Sequence, residues 1–155
     1  MSRDIYKFVK PELIEAFLDA CKKQGHRVII TSVDRDYKEQ RALYAQGRES
    51  LEIVNMLRQQ AGLAEIRGVE NTRKITWTMN SRHIINLDDE RLDNDLSYAF
   101  DFGLLDREGR YLGDVKADVN ANNIADYLEC ALIGEGLGLK SGRKFKNPDY
   151  PHLEL

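Results

Sequence analysis

Apolar residues recur at three- and four-residue spacing from Pro11 to Lys23, where Leu13, Ile14, Phe17, Leu18 and Cys21 form one stripe and predict a helix. Pro11 suits its first turn, and Gly25 suits its stop. The run Arg27 to Val33 is short and rich in β-branched residues, which predicts a buried strand. A second helix is expected from Asp36 to Gln46. Asp36 can cap it, Glu39 stands where a capping box needs an acid, and Gly47 follows. Ser50 to Gln60 predicts a third, with Leu51, Val54 and Leu57 on one face. Lys74 to Met79 and Leu96 to Leu105 read as strands, the second followed by the turn Asp106 to Gly109. Ala121 to Ile133 predicts a late helix with Ile124, Tyr127, Leu128, Ala131 and Leu132 facing inward. Helices and strands mix without regular βαβ alternation. The expected class is therefore α+β, with a small, mainly antiparallel sheet flanked by helices in one domain over 1–155.

A chain of 155 residues can bury a full core without disulfide staples. Its 42% hydrophobic and 32% charged content excludes collagen-like and wholly disordered chains. With 23 basic and 26 acidic side chains the net charge is −3, which argues against a globally basic nucleic-acid binder. No apolar run is long enough to span a bilayer, so no stable membrane insertion is expected. Met1 to Tyr6 lacks the apolar segment of a signal peptide, so synthesis in a reducing cytoplasm is expected. Cys21 and Cys130 fall within helix-like patterns and read as buried thiols. Two charge blocks stand apart. Residues 87–95 hold five acids and one base, and residues 140–146 hold four bases and no acid. Each reads either as a solvated loop or as a functional surface, cation-binding for the first and anion-facing for the second.

There are three histidines. His26, between a helix-stop glycine and a strand, reads as a surface or turn residue without a role. His152 follows Asp149-Tyr150-Pro151, and Pro151 biases Tyr150 toward an extended backbone. If His152 binds a metal, Asp149 stands where a general base could take a proton from the attacking water. His83 closes Asn80-Ser81-Arg82-His83 just after a predicted strand, a common place for a ligand on a rigid scaffold. Asp101 interrupts the apolar run Ala99-Phe100-Asp101-Phe102 and needs a partner there, either a metal or an arginine. Catalytic zinc commonly uses three His and carboxylate ligands, a set that His83, Asp101 and His152 can supply. The helical HExxH pattern, the P-loop, GxGxxG and GxSxG are all missing from the sequence.

Four segments in order resemble the zinc D-Ala-D-Ala carboxypeptidase and L-alanyl-D-glutamate endopeptidase family, which includes phage endolysins and vancomycin-resistance dipeptidases. They are Thr31 to Gln40 continued by Leu43 to Arg48, then Ser81-Arg82-His83, then Ala99-Phe100-Asp101, and finally Asp149 to Glu154. The likeness is strongest to the endolysin branch and spans residues 11–155. It implies zinc on His83, Asp101 and His152, Asp149 as general base, Arg35 at the substrate carbonyl or developing oxyanion, and Gln40 and Ser81 lining the site. It also implies bacterial peptidoglycan stem peptides as substrate, with the L-Ala–D-Glu bond preferred. A D,D-carboxypeptidase or dipeptidase, or an inactive zinc-stabilised wall-binding module, are the alternatives. A monomer that acts at the cell wall after release from the cytoplasm is expected.

The chain departs from the family pattern in two places. Seventeen residues, 84–100, separate His83 from Asp101 where the family has about six. The extra length falls roughly at 84–97 and includes the acidic block. Loop closure costs grow slowly with length, so such an insertion is tolerable. Asp88, Asp89, Asp93 or Asp95 could replace Asp101 as ligand, and the insertion could bind calcium. In addition, Leu139 to Phe145 lacks the tryptophans that often precede the last motif.

Overall fold

The computed structural model describes residues 3–85 and 96–155. The acidic block and its four candidate aspartates, Asp88, Asp89, Asp93 and Asp95, lie outside the described residues, apart from their place in the sequence. The chain forms two compact units, one from residues 1–34 and 96–155, the other from 35–95. The class is α+β. No helix among the described residues is long and apolar enough to cross a membrane.

The first unit is a sheet with two helices. Helix α1 (Pro11–Lys23) buries Ile14, Phe17 and Cys21. It stops at Gly25, whose φ of 85° is the left-handed conformation that glycine adopts freely. Strand β1 (Arg27–Ser32) leads to the second unit, and the chain returns as β2 (Ala99–Leu105). A tight turn then gives β3 (Tyr111–Leu112), followed by α4 (Asp126–Gly136), β4 (Lys140–Ser141) and β5 (His152–Glu154). The strands run in the order β1-β2-β5-β4, with β3 also on β2, and every ladder is antiparallel. Alternation explains the core. Phe100, Phe102 and Leu104 of β2 point to one face and are fully or nearly fully buried. There they meet Phe8, Phe17, Tyr127 and Leu153. Cys21 and Cys130 are free thiols buried in this core.

The second unit holds α2 (Tyr37–Ala45) and α3 (Leu51–Gln60). Asp36 caps α2 by accepting the Glu39 N–H at 2.8 Å, and Ser50 caps α3 by accepting the Ile53 N–H at 3.3 Å. Ala42, Ala45, Val54 and Leu57 form a separate small core. Gly47 separates the helices at φ 77°, and a Cβ there would strike the backbone of Arg73 and Lys74.

Three expectations need correction. Lys74 to Met79 forms no strand, because side chains from α2 and the loop behind it occupy its polar groups. Gln40 donates to Thr76 Oγ1 and the Thr78 carbonyl, and Arg48 donates to the Thr76 carbonyl at 3.0 Å. Helix α4 starts at Asp126 rather than Ala121. Asp118 accepts the N–H groups of Asn122 and Asn123, and positive φ at Ala121 and Asn123 breaks the helix pattern. Ile124 and Leu132 are accordingly exposed. His26 is not at the surface; it is buried beside α4.

Candidate active site

Alternation places Asp101 on the face of β2 opposite its phenylalanines. In β5 the same rule sends Leu153 to the core and puts His152 and Glu154 on the other face. The register of the two strands sets Asp101 directly across from His152. Asp101 Oδ1 lies 3.1 Å from His152 Nδ1, and Glu154 Oε2 lies 2.9 Å from His152 Nε2. The strand acid thus has a histidine among its partners. Burial opposes a charge on His152. Its hydrogen bonds to Asp101 and Glu154, together with the nearby Asp101 and Asp149 charges, outweigh that and push its pKa up to about 9. Without a metal the ring is an imidazolium, and each N–H faces a carboxylate.

The spacing also suits a metal. Two donors on one tetrahedral zinc, each at about 2.0–2.1 Å, stand about 3.3 Å apart. The 3.1 Å between Asp101 Oδ1 and His152 Nδ1 is close to this, so the pair can share an ion once the proton leaves. Glu154 then holds the far ring nitrogen, as carboxylates commonly do behind metal-bound histidines. Asp101 and His152 are among the groups able to hold a metal ion.

Asp149 begins the turn into β5. Its N–H donates to the Gly142 carbonyl at 2.8 Å, and its own carbonyl accepts the His152 N–H at 3.2 Å. Gly142 makes this approach possible, because a Cβ there would land on the Asp149 carbonyl oxygen and 3.0 Å from His152 Cβ. Phe145 sets its ring 5.4 Å from the His152 imidazole and remains 41% exposed, an aromatic cover where no tryptophan occurs. The basic stretch is partly neutralised, since Arg143 and Lys144 pair with Glu135 at 2.9 and 3.2 Å. Lys140 and Lys146 are exposed.

The remaining four residues belong to the second unit and are linked there. The backbone of Arg35 bridges the segment after Ser81. Its N–H donates to the His83 carbonyl at 2.9 Å, and its carbonyl accepts the Ile85 N–H at 2.8 Å. Ser81 Oγ accepts the His83 N–H at 3.2 Å and fixes that turn, and His83 is buried. The Arg35 guanidinium donates to Gln40 Oε1 at 3.2 Å. Gln40 is fully buried, and its amide nitrogen is bound to Thr76 Oγ1 and the Thr78 carbonyl at 3.1 and 2.8 Å. Gln40 therefore acts as a bracket for Arg35.

Glu154, Gly142 and Phe145 were given no role from the sequence. Glu154 carries a usable signal, because a residue two places from a ligand in a strand shares its face. Gly142 and Phe145 depend on a turn that periodicity does not reveal.

No protein-family model matches the chain. It is 31% identical over 153 residues to the peptidoglycan L-alanyl-D-glutamate endopeptidase CwlK of Bacillus subtilis strain 168, covering 98% of this chain and 74% of that protein.

Proposed function

The chain belongs to the family of zinc D-Ala-D-Ala carboxypeptidases and L-alanyl-D-glutamate endopeptidases, and from that membership we propose that it cuts the L-Ala–D-Glu bond of peptidoglycan stem peptides with zinc held by His83, Asp101 and His152. The observation that carries the reading is the Asp101–His152 pair, set at opposed register positions with Glu154 behind the ring. Bound there, zinc supplies Lewis acidity and brings the ionisation of water toward neutral pH.

The chain's own residues do the rest. Asp149 takes the proton of the attacking water and passes it to the leaving amine. Two backbone hydrogen bonds help to fix its place, one to the Gly142 carbonyl and one from the His152 N–H. Arg35, held by Gln40, offers positive charge to the oxygen of the scissile carbonyl as it becomes an oxyanion. Ser81 holds the turn that presents His83. Lys140 and Lys146 attract the carboxylates of the stem peptide. The role is endolysin-like, degrading bacterial cell wall.

The test combines metal analysis with digestion of purified peptidoglycan. One zinc per chain, lost in His83→Ala and Asp101→Ala, is expected, together with new L-alanine C-termini and D-glutamate N-termini in the products. Asp149→Ala should keep its zinc and lose turnover. A fully active Asp149→Ala protein would remove the base assignment, and release of free D-alanine would reassign the bond. Absence of zinc after supplementation would end the reading.

A further inference from the structure

Residues 118–129 run from the loop after β3 into the first turn of α4. Asp118, Asn120, Asn122, Asp126 and Glu129 occupy positions 1, 3, 5, 9 and 12 of this stretch. That is the ligand order of the twelve-residue calcium loop, D-x-[DN]-x-[DN]-G-x5-E. Its position 6 calls for glycine, because the chain turns sharply there. Here Asn123 stands at position 6 and takes φ 68°, the conformation glycine would supply.

One buried carboxylate oxygen points to a cation. Asp126 is 2% exposed; its Oδ2 accepts the Val119 N–H at 2.9 Å, while Oδ1 has no hydrogen-bond partner. An unmatched carboxylate oxygen in that setting is costly. Beside it, His26 Nε2 lies 3.3 Å from Glu129 Oε2. Donor atoms of His26, Asp126 and Glu129 lie within 4.8 Å of one another. His26, Asn120 and Asp126 also line a cavity of about 100 Å³, large enough for an ion with water. Glu129 Oε2 meanwhile accepts from the amides of Asn120 and Asn122 at 3.4 and 2.9 Å. A half-turn of each amide presents its carbonyl oxygen to the same place.

We infer that the loop 118–129 is a calcium site, separate from the Asp101–His152 pair. Its ligands are the side chains of Asp118, Asn120, Asn122 and Glu129 and the carbonyl of Ile124, with Asp126 at the position that often acts through water. Calcium, a hard cation, takes such oxygen ligands in preference to the His26 nitrogen. Bound there, it ties the loop to the start of α4, the helix whose Gly134 packs under Leu153 of β5.

The full-length chain, stripped with chelator, is titrated with calcium chloride by calorimetry and with terbium by luminescence sensitised from the buried Tyr127. One calcium per chain is expected, with a dissociation constant on the order of 10⁻⁴ M. At 10 mM calcium the thermal midpoint should rise by several degrees. D118N and E129Q should each weaken binding at least tenfold while keeping the parent circular dichroism, and His152→Ala should bind calcium as the parent does. If E129Q does not fold, D118N decides. The inference fails if 10 mM calcium gives neither heat nor a midpoint shift. It also fails if D118N and E129Q bind undiminished, or if binding depends on His26, ignores D118N and prefers zinc.

Discussion

Gly142→Ala is the smallest change that should separate the fold from its chemistry. Gly142 has no positive φ, so the penalty is steric. The added methyl would meet the Asp149 carbonyl oxygen, with His152 Cβ at 3.0 Å and Asp149 Cβ at 3.2 Å, and these atoms belong to backbone or to the base of a side chain. None can rotate away, so the turn 149–152 must move as a body. Overpacking of this kind costs about 1–3 kcal/mol. Weakening the hydrogen bond from Asp149 N to Gly142 O, now 2.8 Å, adds about 1 kcal/mol. Reduced freedom of the unfolded chain returns about 0.5 kcal/mol. A net loss of about 1.5–3.5 kcal/mol corresponds to a fall in thermal midpoint of roughly 3–14 °C for a chain of this size. Turnover should suffer more, because a displacement of about 1 Å at a reacting group can cost on the order of 100-fold. Melts by circular dichroism and steady-state digestion of a defined stem peptide give both numbers, with kcat expected to fall and KM to change little. A variant within 2 °C and threefold of the parent would refute the idea that Gly142 sets the position of Asp149 and His152.

Three further outcomes follow from the site and the core. In metal-free protein His152 should carry protons on both ring nitrogens at pH 7, seen by nitrogen-15 NMR of the imidazole, and zinc should remove the Nδ1 proton; a neutral ring at pH 7 would contradict the raised pKa of about 9. Because the folded pKa lies above the ordinary value of about 6.5, the stabilisation is fully present below about pH 6.5 and is lost as pH rises through about 9, so the urea midpoint of the metal-free protein should fall across that window. Tyr127→Phe should cost about 1–3 kcal/mol in urea unfolding, because the Tyr127 hydroxyl donates to the Leu112 carbonyl at 2.6 Å and accepts the Leu104 N–H at 3.2 Å inside the core, and both hydrogen bonds would be lost.

Much of the fold was legible because it rests on local rules. The limits of α1 and the caps of α2 and α3 follow from residue types at fixed offsets. The misread segments are those where side chains displaced a backbone partner. Gln40 and Arg48 occupy the groups that Lys74 to Met79 would need for a ladder, and Asp118 draws the N–H groups of Asn122 and Asn123 away from the predicted helix start. Strands β4 and β5 are too short to show a period, although the second carries a candidate ligand. An acid inside the apolar strand Ala99–Leu105 marks Asp101 as a candidate ligand, whereas nothing near His26 in the sequence marks it as buried beside Glu129.

Strand β2 separates where a donor stands from what that donor is. Its placement is written in Phe100, Phe102 and Leu104, whose burial would be lost together if the register slipped by one residue. At about 1.5–3 kcal/mol each, that slip costs about 5–9 kcal/mol, comparable to the whole stability of an ordinary domain. Asp101 contributes none of this and inherits its position from its neighbours. If Asp101 holds the proposed zinc, such a scaffold can exchange the atom offered to the metal, oxygen for nitrogen or sulfur, while the strand that carries it stays in place. Metal preference can therefore drift in evolution, or be rewritten by design, along a coordinate nearly independent of folding.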